Sequence, residues 1–566
     1  MAPEAYPTWP NLAAMLFGRA AQWRDRPALA ARRDGAWTTL SWDALAQGGA
    51  AVATWLRTAG LGPGERVLLL SENRPEWPMA DLGIMAAGGV AVPAFTTWTV
   101  EDLAHVLQDC GAGFAIVGSA ALARRLARAA EGRAPPAVLM LDDLAPRASG
   151  AWAPWAAEAE KFPPDSLASL IYTSGTGGLP KGVMLPHRAI LSNCRGAHAL
   201  YGHLLGPGDV YLSFLPLSHS YERTVGQFFL LSVGAVVHYS RGIEHLASEL
   251  AEVRPTIVTV VPRLLEVMRG RILAGLARQP AWKRALFDAA LAAGLRREEG
   301  RAGLLDRLLD PLHERLVRRR VRARFGGRVK GVVSGGARLD PAVGKFFRAL
   351  GVPLAQGYGQ TEAGPVISCS PIERVRIETV GPPLAGVEVR LSGEGEILVR
   401  GELVMQGYWG NPAATGAAIQ DGWLHTGDIG EQDADGYLRI TDRRKDIVVL
   451  SGGDNVSPAR IEGALMADPA VAQAVVFGDG RPYLVAVLVP SEAARRANPD
   501  SDALTRAMAG AVDAANRHLS VTERVRRFLV AAEPFSIENG QLTPTQKVRR
   551  HRVREAHAAA IEALYG

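Results

Sequence analysis

IYTSGTGGLPKGV runs from Ile171 to Val183. It starts apolar and then turns entirely to small polar residues. Thr173, Ser174 and Thr176 supply hydroxyls, Gly175, Gly177 and Gly178 supply unhindered amides, and Pro180 precedes Lys181. Such a run builds no core. Glycine lets the backbone approach a ligand closely and take positive φ. Successive amides and hydroxyls around one anion make a phosphate nest, and a lysine adds a point charge. Alone, the stretch reads equally well as a surface turn. The Walker A alternative fails on spacing, because that loop needs Gly-Lys followed by Ser or Thr, whereas Gly182 follows Lys181 here.

The apolar lead-in predicts a buried strand, so the loop should leave a strand's carboxyl end. Similar short runs flank it. Val67 to Leu70, Phe114 to Val117, Val138 to Leu141, Ile257 to Val261 and Val332-Val333 read as buried strands, with helical patterns such as Leu40 to Leu61 between them. LGIMAAGGVAVPAF, from Leu82, reads as a buried helix and strand, too short and too rich in glycine to span a bilayer. The expected fold class is α/β, with sheets covered by helices. Beyond Val380, runs such as VEVRL and EILVRG alternate in polarity between glycine turns and predict an antiparallel region. A polar break around Asp433 to Asp446 precedes a smaller α/β pattern: Ala474 to Phe477, Leu484 to Val489 and helical Ala503 to Leu519. Two units are expected, 1–441 and 442–566.

The 566 residues are 48% hydrophobic and 21% charged, an ordinary balance with ample core material. Cys110, Cys194 and Cys369 lie far apart, which gives neither a disulfide framework nor a metal spacing. With no cationic and apolar leader at the N-terminus, a reducing cytoplasm is the expected location. The net charge is +6, and arginine is dense from Arg263 to Arg328. LLDRLLDPLHERLVRRRVRARF, Leu304 to Phe325, has apolar residues at helical spacing with arginines between them; Asp310-Pro311 reads as a cap and first-turn proline. Two readings stand: a solvated amphipathic surface helix, or a peripheral contact with the inner face of a membrane. Nucleic acid is not expected, since no aromatic residues interleave as stacking platforms.

Further motifs follow in order: SGGARLD from Ser334, QGYGQTEAG from Gln356, DGWLHTGD ending on Asp428, DRRKD from Asp442, LSGGDNVSP from Leu450 and ENGQLTPTQKVRR near the C-terminus. From NRPEW at Asn73 to Lys547, this set resembles the adenylate-forming (AMP-binding) superfamily of acyl-CoA synthetases, luciferases and peptide-synthetase adenylation domains. The resemblance implies a large N-terminal domain, made of two α/β subdomains and a β-barrel-like part, and a small mobile C-terminal domain. It also implies ATP, magnesium and coenzyme A. A carboxylate attacks the α-phosphate of ATP and expels pyrophosphate, and a thiol then displaces AMP from the acyl-adenylate.

Carried over by motif, Thr173, Ser174, Gly175, Thr176 and Lys181 hold the β- and γ-phosphates. Tyr358 lies against adenine, with Gln356 and Gly357 beside it. Thr361 meets the α-phosphate, and Glu362 with Thr176 forms the magnesium site. Asp428 accepts the ribose hydroxyls, assisted by Arg443. Lys547 bridges the substrate carboxylate and the α-phosphate. Lys445 stands at the hinge, and Gly452 lines a thiol tunnel. One departure is Gly177, where relatives carry a second threonine.

LSFLPLSHSYERT, Leu212 to Thr224, resembles long-chain and very-long-chain fatty acyl-CoA synthetases, bubblegum-type relatives included. This places His219 and Tyr221 near the acyl entrance or carboxylate. The expected function is ATP-dependent ligation of a long-chain fatty acid to coenzyme A. The alternatives are a ligase that loads an acyl carrier protein, a ligase for medium-chain or aromatic acids, and a non-catalytic nucleotide-binding homologue.

Overall fold

The computed structural model describes residues 6–144, 151–173, 179–443, 448–452, 454–543 and 546–566. Ser174, Gly175, Thr176 and Gly177 of the opening loop, and Lys445, fall outside the described residues.

Two large sheets form the N-terminal part. In a seven-stranded sheet the order is Gly407–Tyr408, Lys181–Pro186, Leu167–Thr173, Val90–Ala94, Arg66–Leu70, Phe114–Val117 and Ala137–Met140. Its central strands are parallel and almost wholly buried, which explains their unbroken apolar runs: helices cover both faces, so neither face needs polar residues. The second sheet has eight strands, with Gly331–Ser334 between Ile257–Val260 and Leu354–Gly359. The expected strands are therefore present within a residue or two; Val138 to Leu141 is shortened because Leu141 opens a 3-10 turn. The antiparallel region beyond Val380 is a five-stranded sheet built on the long strand Trp423–Gln432. The C-terminal part has Val471–Phe477, Leu484–Pro490 and Val525–Val530 in one sheet, packed against the helices Pro458–Met466 and Ser501–Asn516. The strand Leu438–Arg443 runs through Thr441 and pairs Arg443 with Asp428 in register.

Leu167–Thr173 and Lys181–Pro186 form an antiparallel pair, with Thr173 opposite Lys181. The strand that follows the opening loop therefore pairs back on the one before it, where a Walker A loop would be followed by a helix.

The sequence reading of Asp310-Pro311 is overturned. The helix starts earlier, at Leu304, and Pro311 lies inside it. Asp310 caps nothing; its carboxylate accepts from Arg297 at 2.8 Å and from the buried Arg318 at 2.6 Å. Proline has no N–H to continue the α ladder, and the helix widens into π turns at Glu314–Arg318 just beyond it.

A second π-helical segment, Glu222–Phe229, is held between the two large sheets by charge. Arg223, fully buried, donates from Nη2 and Nε to Asp81 at 2.6 and 2.9 Å, and Gln227 adds a bond to the same carboxylate at 3.0 Å. One residue earlier, Glu222 accepts from Tyr211 and Ser213 and also from Thr259. Burial pushes its carboxyl up to about 7 against the pull of those donors. Removing one partner of a buried ion pair strands the other charge, at a cost of about 3–5 kcal/mol. Arg223→Met should therefore lower unfolding stability by about that much in urea titration; a loss below ~1 kcal/mol would show that the pair holds nothing in place.

Candidate active site

A cavity of about 1090 Å³ opens between the sheets and the C-terminal part, lined by residues from all of them. The hairpin delivers Thr173 and Lys181 to its wall. The strand Leu354–Gly359 delivers Gly357 and Tyr358, and the turn after it delivers Thr361 and Glu362. Trp423–Gln432 and Leu438–Arg443 deliver Asp428 and Arg443, and the C-terminal part adds Lys547.

At one end Asp428, 2% exposed, accepts from the Tyr358 hydroxyl at 2.7 Å and from Arg443 Nε at 2.8 Å. Burial first, and the Asp428 charge second, hold the Tyr358 phenol well above its usual range, so it stays a donor. Gly359 admits no side chain: a Cβ there would stand 1.8 Å from the Pro365 carbonyl oxygen. This close approach folds the strand back and sets Thr361 against Ser220, hydroxyl to hydroxyl at 2.9 Å. Glu362 accepts from the Tyr408 hydroxyl at 2.9 Å, and Lys181 Nζ lies 5.2 Å from the centre of the same ring. Tyr408 thus ties the hairpin lysine to the carboxylate.

Lys547 reaches the cavity from a turn in which its N–H bonds Thr543 Oγ1 at 3.0 Å and Gln546 takes a left-handed φ of 61°. Its side chain is open to the cavity but ringed by protein. Burial, and then Arg443, push the ammonium down to about 8, against the opposing pull of Asp428 and Glu362. His219 is pushed down to about 4, by burial first and the nearby Lys547 second, so it is neutral at pH 7. It can accept or donate a hydrogen bond, but it brings no charge to a carboxylate. Tyr221 donates to the Val333 carbonyl at 3.0 Å, and Gly335 lies so close that a Cβ would be 3.0 Å from its ring. Beyond them the cavity turns apolar, with Leu200, Val225, Phe229, Leu230 and Leu384 in its wall.

Two expected residues stand elsewhere. Gln356 does not line the cavity; its buried carboxamide donates to the carbonyls of Ile377 and Thr379, so it braces the strand and not a ligand. Gly452 is exposed and outside the cavity, with only Asp454 near the position of a Cβ, at 3.6 Å. Sequence reasoning also missed Tyr408 and Ser220. Each sits in a stretch whose neighbours attract more attention, and only the folded chain brings it to Glu362 or Thr361.

A family model described as AMP-binding enzyme matches residues 16–409, and one described as AMP-binding enzyme C-terminal domain matches residues 445–566. The chain belongs to the AMP-binding enzyme family. The long-chain-fatty-acid–CoA ligase FadD15 of Mycobacterium bovis is 35% identical to this AMP-binding enzyme, over 98% of this chain and 97% of that one. The human long-chain-fatty-acid–CoA ligase 1 is 31% identical, over 92% and 80%. Among solved structures, ATP-bound MatB from Rhodopseudomonas palustris shares the fold, with a TM-score of 0.73 at 24% identity, over 97% of this chain and 99% of that one. The o-succinylbenzoate CoA synthetase MenE of Bacillus subtilis does likewise, with a TM-score of 0.72 at 22% identity, over 96% and 98%. AMP-binding enzymes of this kind use ATP, magnesium and coenzyme A.

The donor set fits such a cation. Glu362 offers carboxylate oxygen, which a hard ion prefers, and phosphate oxygens would complete the shell. Hydrogen bonds that orient a ligating carboxylate typically matter 10- to 100-fold for metal affinity. In Tyr408→Phe, the magnesium concentration for half-maximal ATP–pyrophosphate exchange should rise about tenfold. An unchanged magnesium dependence would remove Tyr408 from that role.

Proposed function

We propose that this AMP-binding enzyme ligates a long-chain fatty acid to coenzyme A through an acyl-adenylate. The observation that carries the proposal is one continuous cavity, cationic and donor-rich at one end and apolar at the other. The names of the relatives that match along almost the whole chain support the choice of acid and thiol.

In this reading a carboxylate oxygen attacks the α-phosphorus of ATP. The bond to the β-bridging oxygen breaks, and pyrophosphate leaves. Thr173 to Lys181 hold the β- and γ-phosphates, Thr361 faces the α-phosphate, and Asp428 with Arg443 takes the ribose hydroxyls. Tyr358 and Gly357 bound the adenine. Glu362 and Thr176 would hold magnesium, which would offset phosphate charge. Lys547 bridges the attacking carboxylate and the α-phosphate, where charge gathers in the transition state. Neutral His219 shapes the entrance for the acid. In the second half-reaction the thiol adds to the acyl carbon and AMP leaves. We place the boundary between the two units after Thr441, as 1–441 and 442–566, with Lys445 as the hinge about which the C-terminal unit turns and brings Gly452 to the thiol path. We place the enzyme in the cytoplasm, with peripheral membrane contact through 263–328; among the described residues no helix is long and apolar enough to cross a membrane.

ATP–pyrophosphate exchange with palmitate tests the adenylation step, and CoA-dependent AMP release separates coenzyme A from a carrier protein as acceptor. Absence of exchange with any member of a chain-length series would overturn the proposal. Lys547→Ala should lower exchange by ~10²-fold or more. Because the free-enzyme ammonium sits at about 8 and must be protonated to act, kcat/KM for exchange should fall as pH rises through about 8. A profile that stays flat well above pH 8 would refute this role. Gly452 has room for a side chain in the present arrangement, so Gly452→Leu should keep exchange and lose thioester formation. Parallel loss of both activities would refute the tunnel assignment.

A further inference from the structure

The strand Trp423–Gln432 does not run evenly beside Glu396–Arg400. Leu398 faces His425 and Glu396 faces Ile429, so Thr426, Gly427 and Asp428 all stand against Ile397 alone. An even ladder would place one residue there. The surplus makes a bulge, and all three of its residues line the cavity. A bulge re-aims a side chain but breaks the ladder, so its amides need other acceptors. Gly427, at a left-handed φ of 73°, donates its N–H to Glu396 Oε1 at 2.9 Å. Glu396 Oε2 accepts from His425 Nδ1 at 3.1 Å, where the bulge begins. Between them the Thr426 hydroxyl donates to the Ile397 carbonyl at 2.7 Å and accepts from the Asp428 N–H at 3.1 Å. Glu396, 4% exposed and on the wall of the same cavity, thus grips the bulge at two points. It opens the run EILVRG, which by its alternation reads as a strand and nothing more.

The grip matters because Asp428 has little left to offer a ligand. A carboxylate has roughly four lone-pair sites, and Tyr358 and Arg443 take one on each oxygen. The remaining sites meet ribose hydroxyls only if the backbone under Asp428 aims them, and that backbone is the bulge. Tyr358 and Arg443 hold the carboxylate itself; Glu396 holds the chain beneath it. We propose that Glu396 is a positioning residue for the nucleotide: by pinning the Gly427 N–H and His425, it sets the bulge that aims Asp428 at the ribose. It acts through Asp428 and not on a reacting atom. The role rests on the assignment of Asp428 to the ribose hydroxyls proposed above.

The test is ATP–pyrophosphate exchange with palmitate, comparing ATP with 2′,3′-dideoxy-ATP, which lacks both ribose hydroxyls. A hydrogen bond to a charged group is worth about tenfold or more, so wild type should show a KM for ATP at least about tenfold below that for the dideoxy nucleotide. Glu396→Ala should raise the KM for ATP about tenfold and leave the KM for the dideoxy nucleotide within about twofold of wild type, with kcat little changed. The preference for ATP is then lost. Glu396→Gln keeps an acceptor for the Gly427 N–H and a donor for His425, and should keep the preference within about threefold. Glu396→Asp, one methylene short of Gly427, should lower it about threefold or more, which carries the test should Glu396→Ala not fold. A purely structural role would raise both KM values alike, and that result would overturn the proposal. So would a full preference in Glu396→Ala or Glu396→Asp, or its loss in Glu396→Gln. Absence of any preference in wild type is a different failure: it removes Asp428 from the ribose, and the role of Glu396 falls with it.

Discussion

The site hangs on a buried carboxylate. Asp428 is sealed from water in the long strand Trp423–Gln432, and its two oxygens are claimed from different directions. Tyr358 comes from the strand Leu354–Gly359 of the eight-stranded sheet and Arg443 from the last strand before the C-terminal part. A buried carboxylate is tolerable only when hydrogen-bonded and paired, so burial of Asp428 requires both partners where they are. That requirement fixes three pieces of chain around one end of the cavity. It also sets where the chain leaves for the segment that carries Lys547.

The remaining electrostatics follow from that frame. Burial disfavours the charge of Lys547, and Arg443, held by Asp428 nearby, adds to the effect. Asp428 and Glu362 offset only part of this, so the ammonium is poised to gain from an anion in the cavity. His219, beside the same lysine, gives up its proton and stays neutral. Three groups that could each carry positive charge are thus sorted by neighbours and burial: a fixed cation, a labile one and none.

Much of this was legible in the chain. Buried parallel strands announce themselves as unbroken apolar runs because both faces are covered, and strands such as Phe114–Val117 appear where the runs are. The glycine-rich hairpin, the Tyr358 to Glu362 turn, Asp428, Arg443 and Lys547 stood out because residues so polar and so closely clustered serve no core. Gln356 misled by position: it sits next to ligand-facing residues, but its carboxamide is spent on the backbone carbonyls of Ile377 and Thr379. Asp310-Pro311 misled by local chemistry, because a proline that suits a first turn is here tolerated inside a helix that widens just after it.

The sequence by itself determined the α/β class, the order of the motifs and the residue types the chemistry needs, since these depend on local periodicity and on functional groups. Only the tertiary structure decided which groups meet. Tyr408 reaches Glu362 and Ser220 reaches Thr361 across long stretches of chain, and no local pattern encodes such contacts. Tertiary structure also decided which way the helix Leu304–His313 faces. Its periodicity marks two faces but not which one is buried. That was settled by Arg296 and Arg297 on a neighbouring helix, whose ion pairs draw the acidic side inward and leave the leucines outside.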